Sequence, residues 1–207
     1  MAAPPPRDLA RVTPDDRTRA ARHGRACVWL TGLPAAGKSS LALGVERRLH
    51  DRGWRTFVLD GDELRTGLNA GLGFSPEARS ENLRRAGHVA RLMVDAGLVV
   101  LAAFVSPSAA DRARVRAMFD AAHFVEVWVR CDVDVCRARD PKGLYARAAR
   151  GELAGLTGVD APYEPPAAAD IVIATDALSL PAAIDELEAR LVARLGATAD
   201  PADRVVR

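Results

Sequence analysis

Hydrophobic residues recur along the chain in two patterns, as short unbroken runs and as longer runs with helical spacing. The short runs are typical of strands covered on both faces of a sheet, and the spaced runs of amphipathic helices. Strands that alternate with such helices favour a parallel sheet with helices on both faces. Strands are predicted at 26–31, 55–60, 98–105, 123–130 and 171–173. Helices are predicted to end near residues 22 and 52, to include a short one within 63–80, and to span 77–96, 109–120, 132–139 and 181–195.

The first predicted strand leads into a loop whose glycines have an informative spacing. Gly32-x4-Gly37-Lys38-Ser39 fits the phosphate-binding loop pattern, and an amphipathic run follows it. In such a loop backbone N–H groups surround phosphate oxygens, and the next helix points its N-terminus at the same anion. Lys38 is expected to reach the β- and γ-phosphates, and the Ser39 hydroxyl to ligate Mg²⁺. The nucleotide-binding residues predicted from this loop are Gly32, Leu33, Pro34, Ala35, Ala36, Gly37, Lys38, Ser39 and Ser40.

The loop and the order of elements together predict the fold class. We expect a three-layer α/β fold of the P-loop nucleoside triphosphate hydrolase kind, with a parallel sheet of about five strands. The 207 residues are enough for one such domain. A partly disordered N-terminal tail is expected at 1–24, where Thr13 could cap a short helix, followed by the P-loop domain at 25–196. A C-terminal tail is expected at 197–207.

Composition and charge limit the classes of partner. Lys and Arg total 29 against 27 Asp and Glu, and the net charge of +2 gives no basic surface for a nucleic acid or a membrane. No apolar run is long enough to cross a membrane, and residues 1–25 lack the apolar core of a signal peptide. Cys27, Cys131 and Cys136 lack the paired spacing of metal ligands, so we expect reduced thiols in a cytoplasmic protein.

The basic residues are strongly biased toward arginine. Only Lys38 and Lys142 are lysines among the 29 basic residues. A chain that uses arginine as its general cation is expected to keep lysine where a compact ammonium group is needed. Lys38 belongs to the phosphate loop, so Lys142 becomes a candidate site residue. By the same argument, Arg112 and Arg194 are expected to tolerate replacement by lysine.

Two carboxylates follow the second predicted strand. Asp60 and Asp62 stand at its carboxyl end, where an open α/β sheet places its ligand-binding groups. Either can enter the shell of a magnesium ion held by Ser39, and either can accept a proton from an attacking hydroxyl group. We favour Asp60 as the metal partner and base, and Asp62 as the group that orients the substrate.

Several blocks of the sequence, taken together, resemble adenylylsulfate kinase. The phosphate loop alone marks only a superfamily, whereas residues 139–145 (Arg-Asp-Pro-Lys-Gly-Leu-Tyr) and 157–164 (Thr-Gly-Val-Asp-Ala-Pro-Tyr-Glu) are far more specific. The likeness extends over about residues 25–175. It implies transfer of the γ-phosphoryl group of MgATP to the 3′-hydroxyl of adenosine 5′-phosphosulfate (APS). The other matching blocks are 59–62, 72–74, 79–82, 93–97 and 106–107.

The resemblance also implies roles for single residues. Arg137 and Arg139 are expected to bind ATP, and a lid at about 137–166 is expected to close over both nucleotides. Ser106 is expected to hydrogen-bond a substrate phosphate rather than to form a phosphoserine. The residues implied to act in catalysis are Lys38, Asp60, Asp62 and Ser106. Those implied to bind APS are Asp62, Arg65, Phe74, Arg79, Asn82, Val105, Ser106, Lys142, Leu144, Leu156, Thr157 and Gly158.

The chain departs from the pattern of that family in a few places. Leu156 stands where the family commonly has a phenylalanine that stacks on adenine opposite Phe74, so the affinity for substrate is open to change. The alternatives are a P-loop kinase of another small hydroxyl compound and a nucleotide-binding regulator without catalysis. The resemblance further implies a homodimer and a functional link to an ATP sulfurylase. The other departures are Glu63, Ser108 and Ala109.

Overall fold

The computed structural model describes residues 11–196, so the first ten residues of the tail expected at 1–24 and the whole tail expected at 197–207 lie outside the described residues. Strands and helices alternate through this range, with a short 3-10 helix at Ala121–His123. The strands are β1 (Ala26–Thr31), β2 (Thr56–Asp60), β3 (Val99–Ala103), β4 (Phe124–Arg130) and β5 (Ile171–Ala174). The helices are α1 (Pro14–Ala21), α2 (Lys38–Asp51), α3 (Gly61–Thr66), α4 (Pro76–Asp95), α5 (Ala109–Arg116), α6 (Val133–Arg139), α7 (Leu144–Ala149) and α8 (Leu180–Leu195).

The five strands form one parallel sheet in the order β2-β3-β1-β4-β5. The central strand is β1, whose Val28 pairs with Leu101 on one side and with Val125 on the other. Every residue of β1 is buried, because helices cover both faces of the sheet. The predicted α/β fold with a five-stranded parallel sheet is therefore confirmed.

The side chains of β1 divide between two core layers, since successive residues of a strand point to opposite faces. Val28 and Leu30 pack on the side of α2 and α8. Trp29 packs on the side of α4 and α5, where its ring stacks on Phe104 with the centroids 4.8 Å apart. Packing on both faces holds the central strand in place, and with it the loop that leaves its carboxyl end.

The residues before β1 include a capped helix. The Thr13 hydroxyl accepts a hydrogen bond from Asp16 N, and the Asp16 carboxylate accepts one from Thr13 N, which is a capping box for α1. Arg25 donates to Asp15 at 2.9 Å and so links α1 to the start of the sheet. The predicted cap at Thr13 is confirmed, and the division between tail and domain at residue 25 stays a prediction.

The helix α7 was not predicted, because it lies in the Gly- and Pro-punctuated stretch from 140 to 166. It has six residues, too few to show a helical period in sequence. Gly143 and Gly151, with φ of 66° and 72°, flank it as turn residues. Tyr145 is buried in α7, and its hydroxyl donates to Pro34 O at 3.1 Å. The helix therefore contacts the phosphate loop directly.

Two expectations from composition can be compared with the structure. Cys27, Cys131 and Cys136 are all buried, and none of them forms a disulfide. Within residues 11–196, no helix combines the length and apolar character needed to cross a membrane.

Candidate active site

A cavity of about 1120 Å³ lies at the carboxyl ends of the strands. This edge of a parallel sheet is where open α/β folds bind their ligands. The phosphate loop forms one side of the cavity, the segments after β2 and β3 another, and the predicted lid a third. A pocket for one drug-sized ligand typically measures about 300–1,000 Å³. The cavity is therefore slightly larger than the usual range for one drug-sized ligand.

The backbone of the phosphate loop is open toward this cavity. Gly37 has a φ of 94°, which favours glycine, and a Cβ at this position would meet no atom within 4 Å. Gly32 is needed for a different reason, since a Cβ there would lie 2.4 Å from Val129 O of the neighbouring strand. The loop thus packs tightly against β4 on one side and leaves its other side free for an anion.

Lys38 is the first residue of α2, and its side chain is buried under the loop. Its Nζ donates to the carbonyl oxygens of Gly32 and Leu33, at 3.0 and 2.7 Å. Burial is the main reason that the pKa of Lys38 is lowered to about 8. The ammonium group is therefore held at the loop, at the position that the phosphate-loop pattern assigns to it.

Ser39 and Asp60 are in direct contact. Ser39 Oγ donates to Asp60 Oδ2 at 2.6 Å, and Asp60 Oδ1 accepts from Asp62 N at 2.8 Å, which caps α3. Hydroxyl and carboxylate oxygens are ligands that suit Mg²⁺. Within residues 11–196 no group of three or more His, Cys, Asp or Glu could hold a metal ion. The hydroxyl of Ser39 and the carboxylate of Asp60 are oxygen ligands of the kind that Mg²⁺ accepts alongside phosphates and water.

Asp62 lies in the first turn of α3 and forms an ion pair with Lys142 of the predicted lid. Both side chains line the cavity and are largely exposed, Lys142 at 59% and Asp62 at 69%. An exposed ion pair contributes only about 0–1 kcal/mol, so the charges of a ligand can replace it at little cost. The fold thus brings together two predicted site residues that lie 80 positions apart.

Phe74 and two arginines form another wall of the cavity. Phe74 is 65% exposed, so it is not a core anchor. The guanidinium carbons of Arg65 and Arg79 lie 4.3 and 5.6 Å from its ring centroid. Arg79 also donates to Phe74 O at 2.9 Å, to Gly155 O at 2.8 Å and to Thr157 Oγ1 at 3.3 Å. Arg79 therefore links the Phe74 loop to the 157–164 block.

Asn82 of α4 borders the cavity with a fixed amide orientation. Asn69 Nδ2 donates to Asn82 Oδ1 at 2.9 Å, which leaves the amide nitrogen of Asn82 to donate to a ligand. Asn69 is almost fully buried and was not predicted, because an asparagine beside glycines reads in sequence as a turn residue.

Ser106 follows β3 in a left-handed backbone conformation, with a φ of 39°. It borders the cavity but is only 2% exposed. Its Oγ accepts from Trp29 Nε1 at 3.1 Å and donates to Phe104 O at 3.4 Å. Neither partner can act as a general base, so the contacts agree with a hydrogen-bonding role and give no support to a nucleophilic one.

Most of the predicted site residues border this one cavity. Arg137 does not, since it forms an ion pair on the exposed surface of α6. Gly158 also lies outside the lining and packs against Leu33, since a Cβ at Gly158 would lie 2.6 Å from the Leu33 side chain. Gly32, Leu33 and Ala36 belong to the phosphate loop but do not line the cavity. The predicted residues that line the cavity are Pro34, Ala35, Gly37, Lys38, Ser39, Ser40, Asp60, Asp62, Arg65, Phe74, Arg79, Asn82, Val105, Ser106, Arg139, Lys142, Leu144, Leu156 and Thr157.

The turn between β5 and α8 forms a side of the cavity that the sequence did not predict. Arg139 donates to Thr175 O, and Thr175 Oγ1 donates to Ala36 O at 2.8 Å, which ties this turn to the phosphate loop. The turn adds an apolar surface beside Arg139. Its leucines resemble core residues in sequence, since nothing local marks them as ligand contacts. The unpredicted lining residues include Tyr145, Arg147, Leu153, Thr175, Leu178, Leu180 and Ala183.

The structure does not support the expectation that Arg112 tolerates lysine. Arg112 is only 4% exposed, and its guanidinium donates to Glu126 Oε1 at 3.0 Å and to Ser106 O at 2.8 Å. The lysine side chain has a single nitrogen and cannot donate to several separate acceptors as the three nitrogens of a guanidinium group do. Arg194 is different, because its side chain is 38% exposed and reaches Asp170 only at 3.4 Å. For Arg194 the expectation stands.

Replacement of Lys142 by arginine is expected to lower kcat/KM about tenfold, because a broad guanidinium would replace the compact ammonium that faces Asp62. Steady-state kinetics of Lys142→Arg and of the matched control Arg194→Lys would measure this. The control should stay within about twofold of the parent protein. Equal activity of the two variants would contradict the argument from the scarcity of lysine.

A parallel sheet with a phosphate-binding loop after its central strand and a carboxylate pair after an outer strand defines a P-loop phosphotransferase that uses ATP. Residues 24–174 match the family model for adenylylsulphate kinase, and the chain belongs to that family. The prediction of this family is therefore confirmed.

Named relatives agree with this assignment. The adenylyl-sulfate kinase of Geotalea uraniireducens is 55% identical over 153 residues, which cover 74% of each chain. A probable adenylyl-sulfate kinase of Halalkalibacterium halodurans is 46% identical over 185 residues, 89% of this chain and 92% of the relative. The APS kinase of Mycobacterium tuberculosis, solved in complex with AMPPNP and APS, superposes with a TM-score of 0.74 at 45% identity, covering 83% of this chain and 97% of that one.

Proposed function

We propose that this protein transfers the γ-phosphoryl group of ATP to the 3′-hydroxyl of APS and releases 3′-phosphoadenosine 5′-phosphosulfate. The observation that carries the proposal is that two chemically different groups of residues line one cavity, and we assign them to a donor half and an acceptor half. One half contains the phosphate loop with Lys38 and Ser39, and the other contains Phe74 and Arg79. The similar M. tuberculosis enzyme was solved with AMPPNP and APS together, which supports two nucleotides in such a cavity.

In the donor half, the phosphates of ATP would lie in the loop at the N-terminus of α2. The adenine would then reach the apolar surface beside Arg139, which Leu178 and Leu180 line. Arg139 is held by Thr175, so its guanidinium plane is fixed where it can cover a base. Arg137 lies outside the lining of the cavity, which does not support the ATP-binding role expected for it.

In the acceptor half, the exposed ring of Phe74 offers a stacking surface for the adenine of APS. Arg65 and Arg79 place two positive charges beside that ring, where they suit the phosphate and sulfate groups. The amide nitrogen of Asn82 supplies a further donor, since Asn69 occupies the oxygen. Ser106 closes this half at the end of β3.

The residues between the two halves can carry out the transfer. Mg²⁺ on Ser39, with Asp60 in its shell, would neutralise phosphate charge. Asp60, which contacts Ser39, would accept the proton of the attacking 3′-hydroxyl, while Asp62, freed from Lys142, would orient the substrate. Lys38 stabilises the negative charge on the transferred group. The proton thus moves from the ribose hydroxyl to a carboxylate as the 3′-oxygen bonds to the γ-phosphorus, while the bond from that phosphorus to the β–γ bridging oxygen breaks and ADP leaves.

A coupled assay of ADP release tests the proposal. APS should support rapid turnover, whereas AMP, gluconate and shikimate should not. The 3′-deoxy analogue of APS should compete with APS and give no ADP, because it lacks the acceptor hydroxyl. Faster turnover of gluconate or shikimate than of APS would instead identify a kinase of another small hydroxyl compound.

Leu156 is the residue expected to contact the substrate adenine on the side opposite Phe74. Its side chain is 7% exposed, packs in the core and borders the cavity that Phe74 also lines. Base–aromatic stacking contributes about 1–3 kcal/mol per base, and leucine keeps apolar burial but offers no flat ring. With leucine in place of phenylalanine, the free energy of APS binding is expected to be less favourable by about 0.5–1.5 kcal/mol, which corresponds to roughly two- to tenfold in affinity.

Replacement of Leu156 by phenylalanine is therefore expected to lower the Kd for APS about two- to tenfold and to leave ATP binding nearly unchanged. Calorimetric titration of Leu156→Phe, Leu156→Ala and Phe74→Ala in the presence of ADP would measure this. Phe74→Ala should weaken APS binding more than Leu156→Ala does. Thermal denaturation of Leu156→Phe serves as a control for overpacking. An unchanged Kd for APS in a stably folded variant would show that residue 156 does not face the adenine.

We further propose that residues 137–166 act as the lid, supported by the exposed and easily replaced ion pair between Lys142 and Asp62. The magnesium ion, a homodimer, a functional link to an ATP sulfurylase and a cytoplasmic location stay predictions. Light scattering of the purified protein would measure the oligomeric state, and activity after chelation would measure the metal requirement.

A further inference from the structure

Arg112 is buried beneath the turn that follows β3. This turn, residues 104–107, is called the acceptor turn here because it borders the acceptor half of the cavity. The guanidinium donates to Ser106 O at 2.8 Å and to Pro107 O at 3.2 Å. On its other side it donates to Glu126 Oε1 of β4 at 3.0 Å. Arg112 thereby fixes the acceptor turn to the sheet.

The same guanidinium reaches the end of the predicted lid. Arg112 Nη2 donates to Glu164 O at 2.6 Å. The Glu164 amide donates to Pro107 O at 2.9 Å, and its carboxylate accepts from Ala109 N at 2.6 Å. Beside them, Tyr163 OH and Thr31 Oγ1 lie within hydrogen-bond distance, 3.1 Å apart. The carboxyl end of the 157–164 block is therefore anchored on the acceptor turn.

The acceptor turn needs such support because of its backbone conformation. Ser106 has a φ of 39°, a left-handed value that is unfavourable for a residue with a side chain. Strained conformations persist only where the surroundings hold them, and Arg112 binds the carbonyl groups on both residues of the Ser106–Pro107 pair. A lysine could satisfy only part of this set of acceptors, because its donors radiate from a single nitrogen.

We propose that Arg112 is a positioning residue for the acceptor substrate. Arg112 couples the acceptor turn to the 157–164 block. The inference rests on the proposed function, since the substrate that it positions is APS. Arg112 does not line the cavity. Arg112 affects the position of the acceptor substrate through Ser106 in the acceptor turn and through Thr157 in the 157–164 block. Arg112 makes no hydrogen bond to the phosphate loop, so the binding of ATP is expected not to depend on Arg112.

The main test compares Arg112→Lys with the exposed matched control Arg194→Lys. Arg112→Lys should raise the KM for APS at least about tenfold, while the KM for ATP stays within about twofold. A purely structural defect lowers the fraction of active enzyme, and so lowers kcat without changing either KM. Arg194→Lys should leave all three constants near those of the parent. An unchanged KM for APS, or an equal rise in both KM values, would overturn the proposal.

A second variant keeps the test valid if Arg112→Lys folds poorly. Glu164 has an exposed side chain, and Glu164→Ala removes only the carboxylate contact with Ala109 N. This variant should fold normally and raise the KM for APS about two- to fivefold, with the KM for ATP unchanged. No change in the KM for APS in Glu164→Ala would count against the coupling.

Hydrogen exchange separates this inference from the proposed function, because it needs no substrate. Amides of residues 156–164 should exchange faster in Arg112→Lys and in Glu164→Ala than in Arg194→Lys. Faster exchange supports the coupling even if APS proves not to be the acceptor. Exchange equal to that of the parent in both variants would overturn the coupling, whatever the substrate is.

Discussion

Replacement of Lys38 by alanine is expected to lower kcat at least about a hundredfold. The ammonium group lies at the N-terminus of α2 and donates to Gly32 O and Leu33 O, so it is held at the loop where the phosphates of ATP are expected to bind. Negative charge on the transferred group is stabilised by such cations in the transition state, and its loss therefore appears in kcat as well as in KM. Single-turnover formation of ADP at saturating ATP would measure the effect. Turnover near that of the parent would contradict the role given to Lys38.

The lowered pKa of Lys38 provides an independent check. Burial sets this pKa to about 8, so in the free protein the lysine is charged below that pH and increasingly neutral above it. Bound phosphates favour the charged form, and they raise the pKa. ATP affinity should therefore stay level below about pH 8 and fall up to about tenfold for each pH unit above it.

Calorimetry of ATP binding in two buffers with different ionisation enthalpies would detect the accompanying proton uptake. Above about pH 8 the parent should take up close to one proton on binding, and Lys38→Ala should take up none at this position. An ATP affinity that is independent of pH between about 7 and 10 would show that phosphates do not contact this ammonium.

The parts of the fold that the sequence predicts well are those with strong local signals. The buried runs of β1 and β3 are unbroken, and the phosphate loop between β1 and α2 has its glycines where the backbone requires them. Asp60 was proposed for a similar reason, because a carboxylate at the carboxyl end of a parallel strand lies at the ligand-binding edge of the sheet. These features depend on neighbours in sequence.

The parts that were missed depend on contacts between distant segments. Asn69 orients Asn82 across a buried hydrogen bond, and Thr175 ties β5 to the phosphate loop. Neither residue has a local pattern that distinguishes it from a turn residue. The short helix α7 was missed because glycines flank it and because Tyr145 becomes buried only through packing with residues distant in sequence, such as Pro34.

Arg112 shows most clearly where an argument from composition fails. With arginine so common in the chain, a single arginine was expected to serve as a general cation on the surface. Burial and hydrogen-bond geometry decide whether an arginine can be replaced by lysine. The guanidinium of Arg112 is buried and donates to several protein acceptors, whereas Arg194 remains partly exposed. The composition of a chain cannot indicate which arginine is buried.

Replacement of Asp60 is the second change with a large expected effect. Asp60→Ala should lower kcat at least about a hundredfold, because it removes the carboxylate that contacts Ser39 and that is placed to take the substrate proton. It also removes the cap of α3, which is worth about 0.5–2 kcal/mol of stability. Asp60→Asn separates the two effects, since its amide oxygen can still cap the helix but carries no charge.

Asp132 supplies a matched control, because it caps α6 through Asp134 N at 2.7 Å much as Asp60 caps α3, but has no contact with Ser39. Asp132→Asn and Asp60→Asn should therefore have similar melting temperatures, while only Asp60→Asn loses most of its kcat. If Asp60 lies in the metal shell, the magnesium concentration for half-maximal activity should also rise in Asp60→Asn and stay constant in Asp132→Asn. A large loss of kcat in Asp60→Ala together with near-normal turnover in Asp60→Asn would mean that Asp60 acts through the helix cap alone, and that Asp62 is the base.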